Sequence, residues 1–118
     1  MMLRQVLEVT DLLDSAKVTG FDAANLLRSR GLEDVIVKTL KGERGSTDIL
    51  QICVKGSRGR SSCGCAPTLG IIGRCGAIGA RPTMVGLVSD ADGAIVALST
   101  ALKAADMRER GDVLEGDL

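Results

Sequence analysis

The chain contains no histidine, no tryptophan and no tyrosine among its 118 residues. Without histidine there is no Cys–His or Ser–His nucleophile pair, and no zinc site that needs imidazole. Phe21 is the one aromatic residue of the chain, so the chain lacks the set of aromatic side chains on which the bases of single-stranded nucleic acid stack. We therefore expect no nucleic-acid partner.

Long apolar runs are also missing. No run approaches the roughly 20 residues of a membrane span. Acidic residues interrupt the N-terminal stretch early, which argues against a signal peptide. The length predicts one domain over residues 1–118. We expect a cytoplasmic protein with no membrane partner.

The net charge is zero, from 15 basic and 15 acidic residues, but the charge is unevenly spread. Residues 38–82 carry eight basic and two acidic side chains. The densest basic run is KGSRGR at 55–60. Such a run favours a solvated loop, with contact to a phosphate or carboxylate as the alternative.

The chain contains four cysteines, Cys53, Cys63, Cys65 and Cys75. Cys63 and Cys65 form a C-x-C pair and not the C-x-x-C of zinc ribbons and thioredoxin-like sites. Structural thiols are the first interpretation, since a free thiol packs as a small hydrophobe. A metal or redox role is the alternative.

The pattern of apolar residues predicts an alternation of helices and strands. The order implies an α/β fold, a mixed sheet with helices on both faces. Because the last residues resemble the start of another strand, we expect an incomplete domain, the N-terminal fragment of a longer protein. The predicted elements are helices at 3–15, 19–31 and 90–110, a hairpin with a long loop from strands 34–40 and 49–56, and strands at 68–73 and 83–89.

Glycine recurs at every third position in the stretch TLGIIGRCGAIGARP, residues 68–82. This spacing is neither the G-x-G-x-x-G dinucleotide fingerprint nor a phosphate loop ending in G-K-[ST]. It predicts a buried strand that leaves at Gly73, where the backbone bends or approaches something closely.

Two carboxylates, Asp90 and Asp92, lie where the last predicted strand becomes the last helix. Ser89 and Asp92 have the spacing of a capping box, and both acids favour the positive end of a helix. The alternative is a metal site, because zinc and hard cations accept carboxylate oxygen.

The motifs GERGSTD, APTLGIIGR, GAIGARP, GLVSDADGAIVAL and KAADM resemble an uncharacterised prokaryotic domain-of-unknown-function family whose members are longer. More loosely, the layout resembles the N-terminal part of co-catalytic zinc aminopeptidases and aminoacylases. That resemblance implies a zinc-peptidase-like (phosphorylase/hydrolase-like) fold and a divalent metal such as zinc, with Asp90 at the position of the metal-bridging aspartate; Asp92 is a candidate metal ligand only through its place beside Asp90. Arg74 stands where that group has a histidine ligand, and Gly76 where it has an acid.

Three hypotheses follow. The first is a metal-dependent peptidase or amidohydrolase acting on a small molecule or peptide, with a degenerate or truncated metal site. In it Arg74 orients a substrate carboxylate or simply pairs with Asp90 or Asp92. The second is a non-catalytic module that binds an anionic metabolite through Arg74 and Arg81. The third is a fragment whose exposed sheet edge needs a partner, for which we expect homo-oligomers.

Overall fold

The computed structural model of the chain describes residues 1–76, 86–87 and 90–118. Their regular structure consists of three α-helices, one two-stranded sheet and a short 3₁₀ turn. A small mixed α/β arrangement is therefore confirmed. In chain order the elements are α1 (Leu3–Leu13), α2 (Gly20–Ser29), β1 (Val35–Gly42), β2 (Gly45–Ile52), the 3₁₀ turn (Arg60–Ser62) and α3 (Asp92–Glu109).

The helices begin and end close to their predicted positions. In α2, Thr19 and Asp22 form a reciprocal capping box, which satisfies amide groups that have no partner within the helix. The helix ends before Gly31, whose φ of +84° is a conformation that glycine adopts without strain. Ala23, Ala24 and Leu27 of α2 are buried, as their spacing predicts.

β1 and β2 form an antiparallel hairpin whose register pairs Val35 with Ile52 and Gly42 with Gly45. The predicted hairpin is confirmed, but the predicted long loop is wrong. Only Glu43 and Arg44 lie between the paired strands. Of the residues that suggested a loop, 41–42 belong to β1 and 45–48 belong to β2. In β2, Asp48 accepts hydrogen bonds from the Thr39 hydroxyl and the Gly20 amide.

The core lies where α3 packs against α1 and α2. Leu102 of α3, Leu27 of α2 and Val9 of α1 are almost fully buried. The guanidinium of Arg30, which follows α2, pairs with Glu8 of α1 and with Asp106 of α3. The three helices are thus joined by an apolar core and by one shared cation.

The C-terminal segment packs against the loop that follows β2. Val54 and Leu118 exchange two backbone hydrogen bonds, of 2.8 and 3.0 Å. Asp117 is 6% exposed. Its carboxylate accepts hydrogen bonds from the Gly56 amide and from both the amide and the hydroxyl of Ser61. This carboxylate therefore fixes the loop beside the end of β2.

Two fold predictions need correction. The described residues contain one antiparallel pair of strands and not a mixed sheet with helices on both faces, so the zinc-peptidase-like fold is not confirmed. Residues 68–73 are neither strand nor buried: Leu69 is 62% exposed and Ile72 is 99% exposed. An apolar run becomes a covered strand only if neighbours pack on both faces, and the described residues supply none. The strand predicted at 83–89 lies mostly outside the described residues.

Within the described parts of the chain, no helix has the length and apolar character needed to cross a membrane.

Candidate functional site

The segment at Gly73 meets the start of α3 through backbone contacts. The Gly76 amide donates to the Asp90 carbonyl at 3.2 Å, and the Ala94 amide donates to the Arg74 carbonyl at 3.1 Å. A Cβ on Gly73 would overlap the carbonyl of Gly93. The predicted close backbone approach at Gly73 is therefore present, and its partner is the chain itself.

Arg74 and Asp90 lie together at this junction. Nη2 of Arg74 is 2.5 Å from Oδ2 of Asp90, and the side chains are 84% and 61% exposed. Pairing of these two residues was one of the alternatives left open by the sequence. An ion pair this open to water contributes only about 0–1 kcal/mol. The pair therefore brings the two side chains together without fixing them rigidly. A substrate-binding role for Arg74 stays a prediction.

Asp90 has a φ of +52°, a left-handed conformation that aspartate tolerates better than most residues. α3 begins at Asp92, which is exposed and lies in its first turn. Its N-cap is Ala91, with no side-chain cap hydrogen bond. The predicted capping box is therefore wrong. A capping box joins the N-cap residue to the third residue of the helix, whereas Asp92 is the first residue of α3.

The described residues around Asp90 and Asp92 do not supply the further ligands that the predicted metal site needs. Among the residues that the structure describes, no three Cys, Asp or Glu side chains are grouped so that they could hold an ion. Asp90 is already hydrogen-bonded to the Arg74 cation. Zinc centres take three or four protein ligands, so these residues do not fit the co-catalytic centre that the resemblance implies. Arg81, the second predicted anion-binding residue, lies outside the described residues.

A groove of about 1330 Å³ lies beside β2. One wall is residues 46–54, an unbroken series covering nearly all of β2 and its continuation. Residues 68–75 form the opposite wall, and α3 contributes Ala94, Ala97, Leu98 and Ala101. Pockets for small molecules usually occupy about 300–1,000 Å³, so this groove is large enough for one.

The cations of the groove lining are two arginines, Arg60 and Arg74. Arg60 is exposed and forms no ion pair within the described residues. The lining also contains Asp48 and Asp117, but protein donors already occupy both carboxylates. Hydrogen bonds from Thr39 and Gly20 lower the pKa of Asp48, and bonds from Gly56 and Ser61 lower that of Asp117. Both acids are therefore structural anions, whereas Arg60 and the remaining N–H donors of Arg74 can bind a ligand.

Comparison with known proteins identifies one family. The model of a family described as "Protein of unknown function (DUF1177)" matches residues 38–118. The chain belongs to this family. No curated protein and no solved structure matches it. The matched range includes β2, residues 68–75 and α3, which carry most of the groove lining. The lining residues that lie before the match are Leu13, Ala16, Val18, Thr19, Gly20 and Ala23.

All four cysteines of this DUF1177 chain are free thiols. Cys53 and Cys75 line the groove, where Cys53 is half-buried and Cys75 is exposed; Cys63 and Cys65 are exposed on the loop that follows β2. Burial raises the pKa of Cys53 and of Cys75, and the carboxylates of Asp34 and Asp90 respectively add to this. A raised pKa keeps a thiol protonated and unreactive near neutral pH. Together with its half-buried position, this favours the structural interpretation for Cys53.

Sequence reasoning missed three residues of the groove. Arg60 was visible, since it ends the basic run at 55–60, but that run was interpreted as a solvated loop. Asp117 gave no local signal, because its partner Gly56 is 61 residues away. Asp48 was placed in a turn, and its role depends on Gly20, which is 28 residues away.

Proposed function

We propose that this DUF1177 chain is a non-catalytic binding module for a small anionic ligand that carries a carboxylate or phosphate. The ligand lies in the groove beside β2, and Arg74 holds its charged group. The proposal depends above all on one observation. Neutral protein donors already occupy both carboxylates of the lining, whereas Arg60 forms no ion pair within the described residues and Arg74 keeps N–H donors beyond the one that bonds Asp90, so these two guanidiniums are the groups of the lining that can bind an anion.

Arg74 has the chemistry that this role requires. A guanidinium offers five N–H donors in a fixed plane and binds carboxylates and phosphates with two parallel hydrogen bonds. The bond to Asp90 involves only Nη2. Further donors remain for a ligand, and the exposed Asp90 carboxylate can move aside at little cost.

The remainder of the lining favours a ligand with an apolar body. Leu50, Ile52, Leu98 and Leu118 line the groove alongside small alanines of α3. Burying apolar surface contributes roughly 25 cal/mol per Å². We therefore expect acylated amino acids or similar organic anions to bind better than inorganic phosphate. Arg81 was predicted to bind the anionic ligand together with Arg74, and this role of Arg81 stays a prediction.

Thermal unfolding with a panel of carboxylates and phosphates tests the proposal. A ligand present at 100 times its Kd stabilises the folded state by about 2.7 kcal/mol. Arg74→Ala should abolish the shift. Arg44→Ala is the matched control, because Arg44 is an exposed arginine in the hairpin turn, outside the groove. A flat response of the unaltered chain to the whole panel would refute the proposal.

A metal-dependent peptidase or amidohydrolase is the second candidate. The observation that favours it is the exposed carboxylate of Asp90 beside Arg74 at the start of α3, where the resemblance places a metal ligand. It needs ligands beyond those that the described residues supply. Elemental analysis of the purified chain tests it. Zinc retained by the chain and lost in Asp90→Ala would support the enzyme, and a metal-free chain would count against it.

A further inference from the structure

The loop of residues 58–66, which carries two of the four cysteines, is closed by backbone hydrogen bonds. The Ala66 amide donates to the Arg58 carbonyl, and the Gly64 amide donates to the Gly59 carbonyl, each at 2.9 Å. The first bond joins the two ends of the loop, and the second holds its middle against its beginning. The backbone that carries the cysteines is therefore restrained on both sides.

Gly64 separates the two cysteines and packs against the inside of this loop. A Cβ on Gly64 would overlap the backbone of Arg58, so the close approach requires glycine at this position. Cys63 and Cys65, on either side of it, are both exposed. The φ of Cys63 is +58°, a left-handed conformation that is uncommon for residues other than glycine. The chain therefore turns at Cys63 and leaves both cysteines open to solvent.

The surroundings of Cys63 and Cys65 favour redox chemistry over the other two roles considered for the cysteines. A free thiol packs as a small hydrophobe only where it is buried, and both of these residues are exposed. A zinc site takes three or four protein ligands, whereas in the described part of the chain no third Cys, Asp or Glu is grouped with them to hold an ion. A disulfide needs the two thiols and no further side chain.

The spacing of Cys63 and Cys65 permits a disulfide between them. Covalent geometry limits the distance between Cα atoms two residues apart to about 7 Å. Disulfides usually join Cα atoms that are about 4.4–6.8 Å apart, so the pair can be bridged by a local adjustment of the loop. Because Gly64 has no Cβ, the residue between the two cysteines can adopt dihedral angles that other residues avoid.

We propose that Cys63 and Cys65 form a thiol–disulfide exchange site that takes a low-molecular-weight disulfide as its oxidant. The thiolate of one cysteine attacks a sulfur of that disulfide, which forms a mixed disulfide and releases one small thiol. The other cysteine attacks the protein sulfur of the mixed disulfide, which closes the bond between Cys63 and Cys65 and releases the second small thiol. The two released thiols carry away the two electrons and two protons that the cysteines lose. This site involves neither the groove nor its ligand and is independent of the proposed function.

Mass spectrometry of one tryptic peptide tests this inference on the folded full chain. Cleavage after Arg60 and Arg74 releases residues 61–74, which contain this pair and no other cysteine. The chain is equilibrated with mixtures of reduced and oxidised glutathione, quenched with acid, alkylated and digested. As the mixture becomes more oxidising, we expect most of the peptide to lose two hydrogen atoms and to carry neither glutathione nor the alkylating reagent.

Two variants serve as matched controls. In Cys65→Ser the reaction should stop at a mixed disulfide, so the peptide should gain one glutathione on Cys63. Cys75→Ser keeps the pair and should oxidise like the unaltered chain. A peptide that stays alkylated or carries glutathione on both cysteines in every mixture would overturn the proposal. A bond from this pair to another cysteine, or closure that occurs only after denaturation in urea, would overturn it as well.

Discussion

Arg74 donates a hydrogen bond of 2.5 Å to the carboxylate of Asp90, and both side chains remain largely open to solvent. The protein thus places its own carboxylate on the cation proposed to bind an external anion. An internal anion of this kind competes with the ligand and does not assist it. The competition is mild, because an exposed ion pair contributes little free energy.

Removing this internal competitor should strengthen ligand binding. Asp90→Asn keeps the size of the side chain but removes the negative charge. The lost pair contributes about 0.2–1 kcal/mol, so we expect the Kd for small carboxylates to fall by about 1.4- to fivefold. Titration calorimetry measures this, with Asp92→Asn as the control because Asp92 is exposed and forms no ion pair within the described residues. Weaker binding in Asp90→Asn would show that Asp90 supports the ligand.

Gly73 holds the groove wall against α3 and should not tolerate a side chain. In Gly73→Ala the new methyl group meets the Gly93 carbonyl, which belongs to the backbone and cannot rotate away. We expect a loss of about 1–3 kcal/mol in the free energy of unfolding, as for other overpacked sites. Chemical denaturation followed by circular dichroism gives the value.

Gly70→Ala is the matched control for this substitution. Gly70 belongs to the same glycine series, but a Cβ there meets no atom within 4 Å. Its stability should therefore change little. Equal losses in the two variants would mean that the contact between Gly73 and Gly93 does not account for the effect.

The sequence predicted much of this fold and less of the site. The three helices were predicted from the spacing of apolar residues, because each helix buries one face. The pairing of Arg74 with Asp90 was one of the alternatives that the sequence left open. The hairpin turn was misread because Thr47 and Asp48 favour turns, whereas Asp48 is held in β2 by Thr39 and Gly20. Bonds between residues this far apart in the chain leave no local pattern to read.

Asp117 should be the most sensitive aspartate of the C-terminal segment. Its Oδ1 accepts from the Gly56 amide and the Ser61 hydroxyl, and its Oδ2 accepts from the Ser61 amide. Asp117→Asn replaces one acceptor oxygen with an NH₂ group that faces a donor, and leaving a buried donor without a partner destabilises a fold. We expect the midpoint of thermal unfolding to fall by several degrees. Asp112→Asn, at an exposed position, is the control and should change little; a comparable loss there would contradict the role assigned to Asp117.

Acid should destabilise the chain through four aspartates. Hydrogen bonds lower the pKa of Asp22, Asp48 and Asp117. Burial on its own would raise the pKa of Asp106, but hydrogen bonds from Gln5 and Arg30 outweigh it and lower the pKa. A carboxyl whose folded pKa lies below its unfolded value stabilises the fold above the unfolded pKa, and this contribution disappears as the pH falls toward the folded pKa.

The unfolded value for aspartate is about 4, so the contribution of these groups to the midpoint of thermal unfolding should be constant from neutral pH down to about pH 5. Below about pH 4 the midpoint should drop. In Asp117→Asn the drop should be shallower, because one of the four aspartates with a lowered pKa is gone, whereas Asp112→Asn should follow the unaltered chain. A midpoint that rises on acidification, or an equally steep drop in Asp117→Asn, would show that these hydrogen bonds do not stabilise the folded state as proposed.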